Sequence, residues 1–282
     1  MLRAGAAGSL LIASLAWDQT LAAQESPVLQ PYSLERSAVV GMVGPGKETY
    51  SIMMAWPDGD PPPLGWPVLY ILDGEDNFAT FALAARRFAR ARARSGIAPG
   101  IVVGIPAGPL ERRVRDYTPM VPDYHIPADR PASGLQTGGA DAFVDFIARE
   151  VMPMVHRRWP VDRKRETFAG HSFGGLLALH AMLTRPTMAD RIVAVSPSLW
   201  FGEGFLIREA AKARNVPPDA LLIVTGEGER GAADAARAFT EHLPATFRDR
   251  SRLVDLPGQS HGTTMLAALP RIMDEAFGTE KP

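Results

Sequence analysis

A serine hydroxyl becomes a useful nucleophile only when a base stands ready to take its proton. Gly170-His171-Ser172-Phe173-Gly174 offers a place for such a serine. The pattern G-x-S-x-G turns a strand sharply into a helix, so that the Ser172 hydroxyl stands exposed above a sheet. Glycine is needed two residues before and two after because side chains there would clash inside the turn. The flanks suit the motif: Thr167-Phe168-Ala169-Gly170 reads as a short strand, and Gly174 to Leu183 as an apolar helix. Among six histidines, His171 and His180 flank or follow the motif, His125 lies in a long loop, and His156 and His242 fall on predicted helices. His261 is different. It sits in Gly258-Gln259-Ser260-His261-Gly262, a turn between the last predicted strand and the last helix. Loops at the carboxyl ends of parallel strands are where α/β folds assemble sites, so His261 is the expected base.

An imidazole that accepts a proton is held in its tautomer, and stabilised once charged, by a carboxylate. In the chain order nucleophile, acid, base, that carboxylate follows the preceding strand, where the sequence reads Thr225-Gly226-Glu227-Gly228-Glu229-Arg230. Either glutamate could serve. Glu229 is preferred because its spacing from Gly226 leaves a turn for the side chain to reach back, with Glu227 next. Asp234 comes third, expected to face solvent from the following helix. A Ser172–His261 pair without any acid stays open. Two backbone N–H groups must also meet the charge that develops on the attacked carbonyl oxygen. One is expected from Phe173, the residue after the nucleophile. The other is expected from Leu72-Asp73-Gly74-Glu75, where Gly74 lets the backbone turn inward and the N–H of Glu75 or Gly74 becomes available.

These groups need a scaffold, and the apolar pattern supplies one. Ala38 to Val43 and Thr49 to Ala55 read as an antiparallel pair joined at Gly44-Pro45-Gly46. Val68 to Leu72, Ile101 to Ile105, Ile192 to Val195 and Leu221 to Val224 are continuous apolar runs, as strands buried on both faces should be. Arg252 to Leu256 is the last strand. Phe78 to Arg94, Ala140 to Trp159 and about Thr264 to Phe277 carry apolar residues at three- and four-residue spacing and read as helices. Residues 106–138 read as an irregular stretch rich in Pro, Gly and Arg, a length that in a compact domain usually walls or covers a site. Strands alternating with helices predict a mostly parallel, doubly wound sheet with helices on both faces, in a single domain over residues 24–282.

Residues 1–23 read as an export signal: Arg3, a brief apolar run from Leu10 to Trp17, and small residues at Thr20-Leu21-Ala22-Ala23 for cleavage after Ala22 or Ala23. The run is too short to span a membrane, which takes about 20 apolar residues. A periplasmic or secreted protein without a membrane span is expected. Thirty basic residues against 31 acidic ones leave a net charge of −1, with no like-charged block, so nothing favours a nucleic-acid partner. No cysteine is present, which excludes disulfides, thiolate metal sites and cysteine nucleophiles. No H-E-x-x-H, acidic calcium loop, G-x-G-x-x-G or phosphate loop occurs, so neither a metal nor a cofactor is implied.

The chain resembles the esterase-D-like branch of the α/β hydrolases over most of its length from about residue 35. The likeness rests on Val68 to Gly74, Arg115-Asp116-Tyr117-Thr118-Pro119, Gly170 to Gly175, Ser196-Pro197-Ser198-Leu199-Trp200 and Ser260-His261-Gly262. Within that branch it is most similar to periplasmic esterases of trilactone siderophores of the enterobactin type. The resemblance implies an α/β-hydrolase fold and a serine esterase working through an acyl-enzyme on a small-molecule ester. It also implies Arg115 and Tyr117 near the site mouth and Trp200 near the acyl pocket. An arginine there would suit an anionic catecholate by charge and by stacking. Rival readings are a general carboxylesterase, an acyltransferase in which another alcohol replaces water, and a non-catalytic binding protein of the same fold.

Overall fold

The structure is a computed structural model that describes residues 29, 31–213 and 216–279. The export signal expected at residues 1–23 lies outside the described residues. The described residues from Leu34 onward belong to one unit by their internal contacts.

Within the unit from Leu34, eight strands form one sheet: β1 (Ser37–Val43), β2 (Thr49–Ala55), β3 (Trp66–Leu72), β4 (Ile101–Ile105), β5 (Val161–His171), β6 (Arg191–Val195), β7 (Ala220–Gly226) and β8 (Ser251–Leu256). Their order is β1-β2-β4-β3-β5-β6-β7-β8. β1 and β2 pair antiparallel, β2 pairs antiparallel with β4, and every later pairing is parallel. The sheet is the doubly wound one that the apolar runs predict. β3 is buried at every residue, and its alternation feeds two layers. Val68, Tyr70 and Leu72 join one core with the helices Ala140–Phe146 and Phe173–Thr184, while Leu69 and Ile71 join the other with Gly74–Arg90 and Leu269–Phe277.

Several bounds differ from the sequence expectation, each for a local reason. The helix expected from Phe78 begins at Gly74, because Asp73 takes a left-handed conformation and starts it directly off β3. The stretch 106–138 contains a helix, Leu110–Tyr117, whose mainly charged sequence hides its periodicity. β5 runs for 11 residues rather than four, its first half polar and half-exposed. The helix expected over Ala140 to Trp159 passes through a π-helical turn at Ile147–Val151, just before Pro153. Such a turn accommodates a residue with no N–H to give to the ladder.

Candidate active site

The carboxyl ends of β3, β5, β6, β7 and β8 converge at one edge of the sheet, and each delivers one part of the site. β5 ends at His171, and Ser172 follows with φ 59° and ψ −117°, a conformation that costs a non-glycine residue about 1–3 kcal/mol. The turn is pinned on both sides: Ser172 N–H donates to the Val195 carbonyl at 3.0 Å, and Ser198 N–H donates to the Ser172 carbonyl at 3.1 Å. Glycine at 170 is obligatory. A Cβ there would lie 2.5 Å from the carbonyl carbon and oxygen of Gly174. The helix Phe173–Thr184 starts at once, so the Phe173 N–H lies in its first turn, where no helical carbonyl can accept it.

His261 opens the helix His261–Ala267, which Ser260 and Thr263 cap reciprocally. Its Nε2 lies 2.9 Å from Ser172 Oγ and its Nδ1 lies 2.7 Å from Glu229 Oε2. An ionised carboxylate only accepts, so Nδ1 carries the hydrogen and Nε2 receives the Ser172 hydroxyl proton. Glu229 is held at its other oxygen as well. Oε1 accepts from Ser196 Oγ at 2.5 Å, from Gly226 N–H at 2.8 Å and from Thr264 Oγ1 at 3.0 Å. Burial by itself would raise the Glu229 pKa, yet the hydrogen bonds from Ser196, His261, Gly226 and Thr264 outweigh it and hold the carboxyl below its ordinary value. The acid therefore stays ionised at neutral pH. Behind His261 lies His171, its ring centroid 4.7 Å away. Burial, then the neighbouring His261 charge, push the His171 pKa down to about 4, so this second imidazole stays neutral.

Ser172, His261 and Glu229 are thus brought together as the spacing suggests. Glu227 is not in contact with the imidazole: its Oε2 accepts the Gly258 N–H at 2.9 Å and braces the loop that carries His261. Asp234 pairs with Arg237 on the exposed face of the helix Ala232–His242. Gly74 and Glu75 begin the helix after β3, and the Glu75 carboxylate accepts the N–H groups of Ala107 and Gly108 at 3.0 and 2.6 Å. Trp200 lines a cavity of about 650 Å³ onto which Ser172 and His261 open, together with Arg130, Ile207 and Arg230. The Arg130 guanidinium lies 4.8 Å over the Trp200 ring.

Arg115 and Tyr117 are not placed at that cavity. Arg115 donates to Asp116 and to Glu48, both at 2.8 Å. Tyr117 is fully buried, its Oη accepting the Asp73 N–H at 3.1 Å. At about 100° per residue, positions 113 and 115 of one helix point in nearly opposite directions, and it is Arg113 that reaches the cavity. Ser196 and Ser198, which the sequence offers only as part of the family likeness and without a role, also enter the site. Ser196 supports the acid, and Ser198 Oγ stands 3.3 Å from Ser172 Oγ. Their only signal is a Ser-Pro-Ser run directly after the apolar run of β6. Among the described residues, no three His, Cys, Asp or Glu side chains gather to hold a metal ion.

The model of a family described as "Putative esterase" matches residues 47–254. The chain belongs to that family. This esterase is 30% identical over 251 residues to the ferri-bacillibactin esterase BesA of Bacillus subtilis, covering 83% of this chain and 86% of that protein. It is 35% identical over 245 residues to a siderophore triacetylfusarinine C esterase of Aspergillus fumigatus, covering 79% and 80%. Its fold superposes on the siderophore hydrolase EstB from Aspergillus nidulans with a TM-score of 0.72 at 29% identity, covering 89% of this chain and 98% of that one. The esterase is a serine hydrolase of the α/β-hydrolase fold that acts on carboxylic esters.

Proposed function

We propose that this esterase opens the ester bonds of siderophores, trilactones of the enterobactin type foremost, by a two-step acyl-enzyme route. The observation that carries the reading is the continuous Glu229–His261–Ser172 hydrogen-bond chain at the mouth of the 650 Å³ cavity. Ser172 Oγ attacks the ester carbonyl as its proton passes to His261 Nε2. The tetrahedral oxyanion is met by the N–H of Phe173 and by that of Gly74 or Glu75. His261 then gives the proton to the leaving alkoxide. Water enters, loses a proton to His261 and attacks the acyl carbon, and the Ser172 oxygen leaves, reprotonated by His261. The products are one acid and one alcohol per water consumed.

The substrate class is supported by the names of the relatives and by the cavity itself. Trp200 gives a flat apolar wall for an aromatic or hydroxamate arm, and among the cavity's lining residues Arg113, Arg130 and Arg230 outnumber Glu203 and Glu229. A ligand carrying phenolate or hydroxamate oxygens would be favoured by that balance. Export rests on the N-terminal pattern, and among the described residues no helix is long and apolar enough to cross a membrane. A mature protein beginning just after Ala22 or Ala23 would support it, and an intact N-terminus on the cellular protein would refute it.

The deciding experiment is a mass-spectrometric time course on a catecholate trilactone, iron-free and ferric, with Ser172→Ala beside the wild type. Stepwise gain of one water per ester bond, absent in the variant, is expected. Turnover of a nitrophenyl ester with the trilactone left intact would remove the siderophore from the proposal.

A further inference from the structure

An oxyanion hole works only if its two N–H donors are already in place, within roughly half an ångström, before charge develops. In this esterase the donors proposed above sit on two separate loops, Phe173 after β5 and Gly74 or Glu75 after β3. The β3 loop is strained, with Asp73 at φ 51° and ψ 52°, so something must hold it there. Arg113, which has no part in the proton relay, touches both loops. Its Nε and Nη2 donate to Asp73 Oδ1 and Oδ2 at 2.5 and 2.9 Å, a two-pronged pair. Nη2 also donates to the His171 carbonyl at 3.3 Å, on the residue that precedes the nucleophile. The guanidinium lies over the rings of Tyr117 and Phe173, at 5.2 and 5.9 Å. Tyr117 closes the loop from beneath by accepting the Asp73 N–H.

The neighbouring arginines do other work. Arg112 and Arg115 bind Glu48, and Arg115 also binds Asp116, on the side of the helix away from the elbow. Arg113 alone of the three stands between the substrate cavity and a second hollow of about 630 Å³ on the Asp73 side, lining both. A planar fork suits this task, because it fixes direction as well as distance between a carboxylate and a carbonyl.

We infer that Arg113 is a positioning residue: by clamping Asp73 to the His171 carbonyl, it sets the spacing between the N–H of Phe173 and those of Gly74 and Glu75, so that the oxyanion hole exists before substrate binds. The inference rests on the esterase reading above.

Its test uses the full chain, a short neutral nitrophenyl ester and a trifluoromethyl ketone, which adds Ser172 to give a hemiketal oxyanion in that hole. Arg113→Ala is expected to lower kcat about 10²-fold, the scale of losing one donor, with KM within about twofold. Ketone affinity should fall by a similar factor, and methylguanidinium in the buffer should restore part of kcat. Tyr117→Phe, which keeps every charge but frees the Asp73 N–H, is expected to lower kcat about tenfold. It keeps the test alive if Arg113→Ala fails to fold. A folded Arg113→Ala enzyme with kcat within about threefold of wild type would overturn the inference. So would a rise in KM at unchanged kcat, which would mark Arg113 as a substrate ligand instead. Failure of the wild type to hydrolyse the ester or bind the ketone would strike the esterase reading itself.

Discussion

Replacing Glu229 by glutamine keeps the shape of the acid and removes only its charge and one acceptor. Three donors converge on Oε1: the Ser196 hydroxyl, the Gly226 N–H and the Thr264 hydroxyl. The hydroxyls can rotate, but the Gly226 N–H cannot, and leaving it against an amide NH2 would cost about 1–3 kcal/mol. The glutamine carbonyl therefore takes the Oε1 position, and its NH2 faces His261 Nδ1. Nδ1 must then accept, so the hydrogen moves to Nε2. That nitrogen, 2.9 Å from Ser172 Oγ, can no longer take a proton. In a serine–histidine–acid relay, the wrong tautomer lowers kcat by about 10⁴, equivalent to about 5 kcal/mol of barrier. KM should hardly change, because Glu229 makes its contacts to the protein. Initial rates on a nitrophenyl ester at pH 7.5 measure the effect, with Glu227→Gln as the matched control expected to stay within about threefold of wild type. Glu229→Gln activity within tenfold of wild type, or equal damage from Glu227→Gln, would refute this account of the acid.

Three further expectations concern residues around the relay and its supports. His171 is neutral in the folded protein down to about pH 4, whereas in the unfolded chain it titrates near its ordinary value of 6.5. Between those values the unfolded state binds a proton that the native state refuses, so stability falls as pH falls, by about 3 kcal/mol at pH 4. His171→Phe should flatten the melting temperature over that window, and parallel wild-type and variant curves there would disprove it. Trp200→Ala should raise KM for aromatic esters. Arg115→Ala should leave KM alone and cost about 3 kcal/mol in denaturant unfolding, because it strips the nearly buried Asp116 of its cation. A KM increase from Arg115→Ala would restore that residue to the site mouth.

The amino-acid sequence by itself determined the sheet and the nucleophile. β3, β4, β6 and β7 are apolar on both faces because helices cover both, and such runs are legible without neighbours. Ser172 was legible because the elbow is a local constraint: Gly170 has backbone where a side chain would go, whatever else surrounds it. His261 followed from its place between the last strand and the last helix. The tertiary structure alone decided the rest. Glu227 and Glu229 are two residues apart on one turn, and what separates them is the β8 loop, which takes the Glu227 carboxylate through Gly258 and sets His261 against Glu229. Arg113 and Arg115 are chemically the same in sequence. The rotation of a short helix, fixed by what it packs on, sends one to the Asp73 loop and the other to Glu48 and Asp116. Ser196 is part of the site only because β6 lies between β5 and β7 in the sheet, which sets its hydroxyl against Glu229. Local patterns record what a residue does to its own backbone, whereas a partner across the sheet edge is chosen by topology.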